Sequence, residues 1–247
     1  MAGHNKWSKI KHVKARLDKV RGKVFTRLIR ELTVAARMGG GDPDANPRLR
    51  LAVQTARAEN MPKDNIEKAI KKGTGELESE NLEELAYEGY GPGGCAIYVE
   101  VLSENRNRSA AEIRTTFKKN GGNLGESGSV AWMFQRIGEI SFKPDSFEEE
   151  ALMEAALEAG ALDFEVDEEG QGSVTTEANE LFSVQESLSK AGFECVKAGL
   201  TRKPENMVQV EEKDQAEKIV KLLTAIEDLD DVQDVFTNVD FGDLDLG

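Results

Sequence analysis

Apolar positions recur along this chain with two different periods. Between Arg21 and Met38 they fall at Val24, Phe25, Leu28, Ile29, Leu32, Ala35 and Ala36. At 100° per residue these share one face, with Lys23, Arg27, Arg30 and Arg37 opposite, which predicts an amphipathic helix. Gly39, Gly40 and Gly41 stop it. Asn46-Pro47 reads as an N-cap followed by Pro at the first helical position. The second helix runs from there to Glu59 and buries Leu49, Ala52, Val53 and Ala56. Asn60-Met61-Pro62 opens a third, with Ile66, Ala69 and Ile70 inward and Gly73 as terminator. Three short amphipathic helices predict a small bundle over residues 1–75.

GTGELESENLEEL, residues 73–85, is acidic and poor in apolar side chains, and reads as a linker at a domain boundary. Beyond it the period shifts towards two. Strands are expected at CAIYVEVL (95–102), GSVAWMF (128–134), MVQV (207–210) and VQDVFTNV (232–239), with helices at 109–120 and 214–226. Two βαβ halves of this kind make a four-stranded sheet with two helices on one face. Between them GEISF, DFEVDEE, GSVTTE and FECVKAGL read as strands, with helices from Phe147 to Ala159 and from Asn179 to Ala191. That is β-α-β-β-α-β again. The expected fold class is α+β: an N-terminal three-helix module and two ferredoxin-like-type α/β domains, the third inserted in the second. The expected domains are 1–75, then 80–136 with 206–247, with 137–205 inserted. Two tandem domains that share the sheet differently are the alternative.

Several function classes are excluded or disfavoured. No apolar run is long enough to span a bilayer, and no apolar signal stretch precedes the first helix. A basic transit peptide would be acid-poor in the same way, but here the pattern runs straight into a well-formed helix. Cys95 and Cys195 both lie in apolar, strand-like contexts, which predicts buried, reduced thiols and a cytoplasmic location. The two histidines, His4 and His12, sit in the basic N-terminus, so neither sheet domain has a Ser-His-Asp triad or a His-rich metal site. The acids lie in runs such as DSFEEE and EVDEEGQG, which read as solvated faces. EGYGPGG (88–94) precedes a strand, whereas a phosphate-binding loop follows one and opens a helix; it reads as a turn. KKGTGE (71–76) reads as helix cap and linker. No catalysis, cofactor, metal or small-molecule substrate is expected.

Charge points elsewhere. The 247 residues carry 32 basic and 46 acidic side chains, a net charge of −14. Residues 1–75 hold 18 basic and 7 acidic residues, and the remainder 14 and 39. Such asymmetry points to a polyanionic partner for the basic end. Residues 6–30, KWSKIKHVKARLDKVRGKVFTRLIR, contain ten Lys or Arg and one acid, Asp18. The expected nucleic-acid tract comprises Lys6, Lys9, Lys11, His12, Lys14, Arg16, Lys19, Arg21, Lys23, Arg27 and Arg30, with Arg48 and Arg50 beside it. Trp7 either stacks on an unpaired base or packs against the bundle. Arg106 and Arg108, placed in a loop before a helix N-terminus, are secondary phosphate candidates or an ordinary solvated loop. The apolar face from Phe25 to Leu32 is needed for the bundle, which argues against a membrane-surface role. The acidic domains are an alternative, intramolecular partner for the basic arm.

Four long stretches carry a resemblance. MAGHNKWSKIKHVKARLDKVRGKVFTRLIREL, AARMGGGDPDANPRLRLA and AENMPKDNIEKAIKKGTGE are similar to the YebC-like family of bacterial regulatory proteins. So is YEGYGPGGCAIYVEVLSENRNRSAAEIRTTFKKNGGNLGESGSVAWMF. The resemblance implies three domains, the third inserted in the second, in a cytoplasmic, non-enzymatic protein. It implies DNA binding and transcription regulation; a mitochondrial relative is a translational activator, and some bacterial members resemble ribosome-associated translation factors. DNA and ribosomal RNA, with the ribosome itself, are the partners so implied. No helix of the bundle lines up Arg, Asn and Gln on one face, which favours backbone and shape contacts over base readout.

Overall fold

The computed structural model describes residues 18–78, 81–242 and 244, with side chains from Gly22 onward. The chain divides into two compact units. Residues 134–203 form one; the described residues on either side, from Asp18 to Met133 and from Pro204 to Leu244, form the other.

The larger unit begins with three helices: α1 (Asp18–Gly39), α2 (Pro47–Ala58) and α3 (Lys63–Thr74). Their shared core is Leu32, Ala35, Ala36, Leu49, Ala52, Val53, Ala56, Met61, Ile66 and Ala69, with Phe25, Leu28 and Ile29 against it. These are the positions that a 3.6-residue period selects. Asn46 caps α2 as its place before Pro47 suggests: its Oδ1 accepts from Leu49 N–H at 3.1 Å. Its Nδ2 also donates to the carbonyls of Ala35 and Gly40, so one buried side chain closes α1 and opens α2. Gly73 does not terminate α3; it lies inside it, and Gly75, at φ 85°, is the C-cap. A Cβ on Gly73 would stand 2.3 Å from the Thr33 carbonyl oxygen and 2.7 Å from Ala36 Cβ. The missing side chain is what lets α3 lie on the α1 backbone.

The same unit continues with β1 (Glu83–Tyr90), β2 (Ala96–Ser103), α4 (Arg106–Lys119) and β3 (Asn123–Leu124). The inserted unit supplies β4 to β7, and the chain then adds β8 (Val208–Gln209), α7 (Lys213–Glu227), β9 (Val232–Thr237) and β10 (Val239–Asp240). The sheet order is β3-β1-β2-β9, with all three neighbouring pairs antiparallel. Helices α4 and α7 bury Ile113, Phe117, Ile219, Leu222, Leu223 and Ile226 against Ile97, Val99, Val101, Val232 and Val235.

This arrangement corrects three expectations. The stretch read as linker and turn contains β1, whose Leu85 and Tyr87 face the core. GSVAWMF is not a strand: Ala131–Met133 is a 3-10 turn. The backbone N–H groups of Gly128, Val130 and Ala131 instead donate to the buried carboxylate of Glu88, at 2.7–2.8 Å, so they cannot serve a ladder. MVQV does not join the four-stranded sheet either; β8 pairs in parallel with β10, and β1 completes the sheet.

The inserted unit comprises β4 (Phe134–Phe142), α5 (Glu149–Glu158), β5 (Asp163–Val166), β6 (Gly172–Glu177), α6 (Leu181–Lys190) and β7 (Lys197–Pro204). Its strand order β5-β6-β4-β7 is that of a ferredoxin-like sheet. Ile140, Phe142, Leu152, Ala156, Val174, Leu181, Val184 and Leu188 are buried within it. Where the chain leaves and re-enters the larger unit, Glu205 N–H donates to the Met133 carbonyl at 2.9 Å.

The helix packing makes a paired prediction. Gly73→Ala should destabilise by about 1–3 kcal/mol through overpacking. Gly22→Ala, at an exposed α1 position with no heavy atom within 4 Å of the added methyl, should stabilise by roughly 1 kcal/mol through helix propensity. Urea midpoints of the two variants check both signs.

Candidate nucleic-acid interface

Asp231 lies in the loop between α7 and β9 and is 3% exposed. Its carboxylate gathers donors from three elements. The Ser103 hydroxyl at the end of β2 lies 2.8 Å from Oδ2, and the Ser109 hydroxyl on α4 lies 2.7 Å from it. Arg108 Nη2 reaches both oxygens, at 3.0 and 3.2 Å. From α1, Arg30 Nη2 reaches Oδ1 at 3.1 Å. The Asp231 carbonyl accepts from Leu102 N–H at 2.9 Å. Burial pushes this carboxyl pKa up, but Ser109, Arg108, Ser103 and the charge of Arg30 outweigh it and hold the group below the usual carboxylate range.

The neighbouring cations of α1 extend the contact. Lys23 Nζ donates to the Asp228 carbonyl at 2.6 Å and pairs with its carboxylate at 3.2 Å. Arg27 donates to the Glu227 carbonyl, and Arg30 to that of Asp230. Helix α7 ends at Glu227, so these cations meet the carbonyls that a helix C-terminus leaves unsatisfied and the negative end of its dipole. Spacing of three and four residues puts Lys23, Arg27 and Arg30 on one side of α1. Further along, Arg37 donates to Asn81 Oδ1 and to the Leu82 carbonyl.

The expected tract is thus divided. Lys6, Trp7, Lys9, Lys11, His12, Lys14 and Arg16 lie outside the described residues, while Lys19 and Arg21 lie in the first turns of α1, their side chains outside the described part. Lys23, Arg27 and Arg30 are brought together on the α7 terminus. Arg48 grips Glu31 of α1 through two bonds, at 2.7 and 2.9 Å, and also pairs with Glu84 of β1. Burial lowers the pKa of its guanidinium, but Glu31 and Glu84 outweigh that and raise it above its ordinary value. Arg50 closes the preceding loop through the Pro43 and Asp44 carbonyls. Arg106 and Arg108 are not loop residues: Asn105 is the N-cap, and both lie in the first turn of α4. Cys95 is buried and its thiol pKa is pushed up to about 11 by desolvation, whereas Cys195 is only half-buried, its Sγ 3.3 Å from Gln185 Nε2. Sequence reading passed over Asp231 and Glu88, both embedded in acid-rich stretches. It also passed over Arg57, Lys68, Lys71 and Lys72, all exposed on the bundle.

Among the described residues, no group of three or more His, Cys, Asp or Glu could hold a metal ion. Nor is any helix long and apolar enough to cross a membrane. The fold is an α+β protein with a basic helical module joined to an acidic α/β part. The chain belongs to the TACO1/YebC family. The model of the TACO1/YebC N-terminal domain matches residues 5–76, and that of the TACO1/YebC second and third domain matches residues 82–239. A "Probable transcriptional regulatory protein" of Desulfatibacillum aliphaticivorans is 56% identical over 100% of this chain and 99% of its own length. One from Treponema denticola is 54% identical over 97% of this chain and 96% of its own. The crystal structure of a conserved hypothetical protein from Aquifex aeolicus superposes with a TM-score of 0.86 at 47% identity, over 94% of this chain and 96% of that one.

Because Asp231 has a folded pKa below its unfolded value of about 3.9, its contribution is fully present above that pH. It is lost as pH falls through the folded value. Asp231→Asn should therefore cost roughly 3–5 kcal/mol at neutral pH, as for a broken buried pair. Its deficit relative to wild type should shrink below about pH 4. Denaturant titrations at pH 7 and pH 3 read both effects.

Proposed function

We propose that this chain is a non-catalytic regulator of gene expression that binds nucleic acid through its basic helical domain, residues 1–75. The observation that carries the reading is the concentration of 18 basic against 7 acidic residues there, in a chain whose remainder holds 14 and 39. Lys6, Trp7, Lys9, Lys11, His12, Lys14, Arg16, Lys19 and Arg21 are the primary contacts, with Lys23, Arg27, Arg30, Arg48 and Arg50 flanking them. The flanking residues already have partners within the chain, so their part is to orient the domain and shape its field. The protein works in the cytoplasm, and the domain 137–205, inserted in 80–136 and 206–247, supplies shape and protein contacts.

DNA is the first target considered, in line with the names of the relatives. Structured RNA, as on a ribosome, is the second, and one observation favours it. Arg48 and Arg50, the cations near the start of α2, turn to Glu31 and Glu84 and to loop carbonyls. A groove-reading helix would hold such side chains out to base edges. Backbone and shape contacts suit folded RNA as well as duplex DNA.

Binding of labelled duplex DNA and of a hairpin RNA, measured by fluorescence anisotropy, should fall by about 10³-fold or more between about 50 and 200 mM salt for six or more phosphate contacts. The combined Lys9→Ala, Lys11→Ala, Lys14→Ala, Arg16→Ala variant should flatten the salt dependence by a slope of about 3–4. A salt-insensitive complex, or one indifferent to those four changes, contradicts the proposal. The probe bound more tightly at equal salt separates the DNA and RNA readings.

A further inference from the structure

Helix α4 carries a charge that its surroundings do not. Of the 14 basic residues beyond residue 75, five are on this helix: Arg106, Arg108, Arg114, Lys118 and Lys119. Glu112 is its one acid. An acidic α/β module needs no cationic face for solubility, so a concentration of this sign asks for a partner. Two of the five are separable from the rest. Arg108 is tied to Asp231 and Glu104, and Asp231 holds its guanidinium above its ordinary pKa. Lys119 projects to the side of Glu112.

The remaining three line up. At 100° per residue, Arg106, Arg114 and Lys118 fall within about 120° of arc, with Asn107, the small Ala110 and the buried Phe117 between them and Ala111 just beyond. Glu112 lies roughly 120° beyond that arc. Arg106, Asn107, Ala111, Arg114 and Lys118 are all exposed. From Arg106 to Lys118 the helix rises about 18 Å at 1.5 Å per residue. Over that length a duplex presents about ten phosphate charges, at one per 1.7 Å of axis. The row runs along one flank of the helix's buried stripe: Ile113 and Phe117 are buried next to Arg106 on the same wheel, and Tyr87 Oη donates to the Arg106 carbonyl at 3.2 Å. Its N-terminal end is joined to the basic module by the Arg108–Asp231–Arg30 cluster.

We propose that the exposed flank of α4, through Arg106, Asn107, Arg114 and Lys118, is a second nucleic-acid contact surface. It binds phosphate backbone without reading sequence, alongside the basic helical module. This rests on the nucleic-acid reading above and adds to it a surface outside residues 1–75. Arg108 has no direct part; it holds α4 to α1, so the two basic surfaces keep a fixed relation across Asp231.

The test uses the full-length protein with Arg106→Ala, Arg114→Ala and Lys118→Ala combined, and the same duplex DNA and hairpin RNA. The three sites are exposed, so the thermal midpoint should stay near that of wild type. The salt slope should fall by about 2–3, at about 0.9 per lost contact on duplex. Affinity near 100 mM salt should drop roughly 10- to 100-fold on duplexes of unrelated sequence alike. Arg106→Lys with Arg114→Lys, which keeps the charge, should retain most of the wild-type slope. If wild type binds and the triple-alanine variant matches it in slope and affinity, the α4 surface is refuted while the N-terminal reading stands. If wild type binds neither probe, the nucleic-acid reading itself falls, and this surface with it.

Discussion

A carboxylate taken out of water is tolerated only where donors surround it, and Asp231 meets that demand by drawing donors from three elements. Ser103 ends β2, Ser109 and Arg108 open α4, Arg30 comes from α1, and Asp231 itself leads into β9. The β2–α4 junction, α1 and the loop before β9 are far from one another in sequence. The buried charge therefore does more than add a contact: unless all arrive together, it is left unpaired. The sheet, the helix that lies on it and the N-terminal helix share one electrostatic condition for folding. The outer pairs of the same face, such as Lys23 with the 69%-exposed Asp228 side chain, add little by comparison.

That arrangement changes what the net charge means. An acidic chain with a basic beginning suggests a free arm reaching for a polyanion. In the described part, the cations of α1 instead close the C-terminal end of α7, where carbonyls and the helix dipole already attract positive charge. The acids at Glu227, Asp228, Asp230 and Asp231 are the local counterweight. The helical module is thereby held to the α/β domain by charge of the same kind that is proposed to engage phosphate. In the proposed function, polyanion binding then falls to the residues before Gly22 and to the exposed row on α4. Membership of the TACO1/YebC family, with relatives named as probable transcriptional regulatory proteins, fits a regulatory role.

Much of the fold was legible in the sequence because its signals are local. The three N-terminal helices were bounded within a few residues, since apolar spacing, Asn46-Pro47 and nearby glycines act over a single turn. The ferredoxin-like order of residues 134–203 followed from alternating periods. What escaped was set at a distance. EELAYEGY looked like linker because three glutamates obscure an alternation in which Leu85 and Tyr87 face inward, and Glu88 is buried only because residues 128–131 fold over it. Lys23, Arg27 and Arg30 looked like a phosphate face because their partners lie some two hundred residues further on. Asp231 looked like one acid in a solvated run. No local pattern marks the member of EDLDD whose charge is buried.

The most direct measurement is ultraviolet crosslinking in cells, followed by sequencing of the nucleic acid and mass-spectrometric mapping of the crosslinked peptides. The account predicts nucleic-acid adducts on peptides from residues 6–21 and from α4, with discrete DNA or ribosomal RNA sites identifying the target. Adducts confined to residues 134–203, or none where a known binder is captured in parallel, would contradict it.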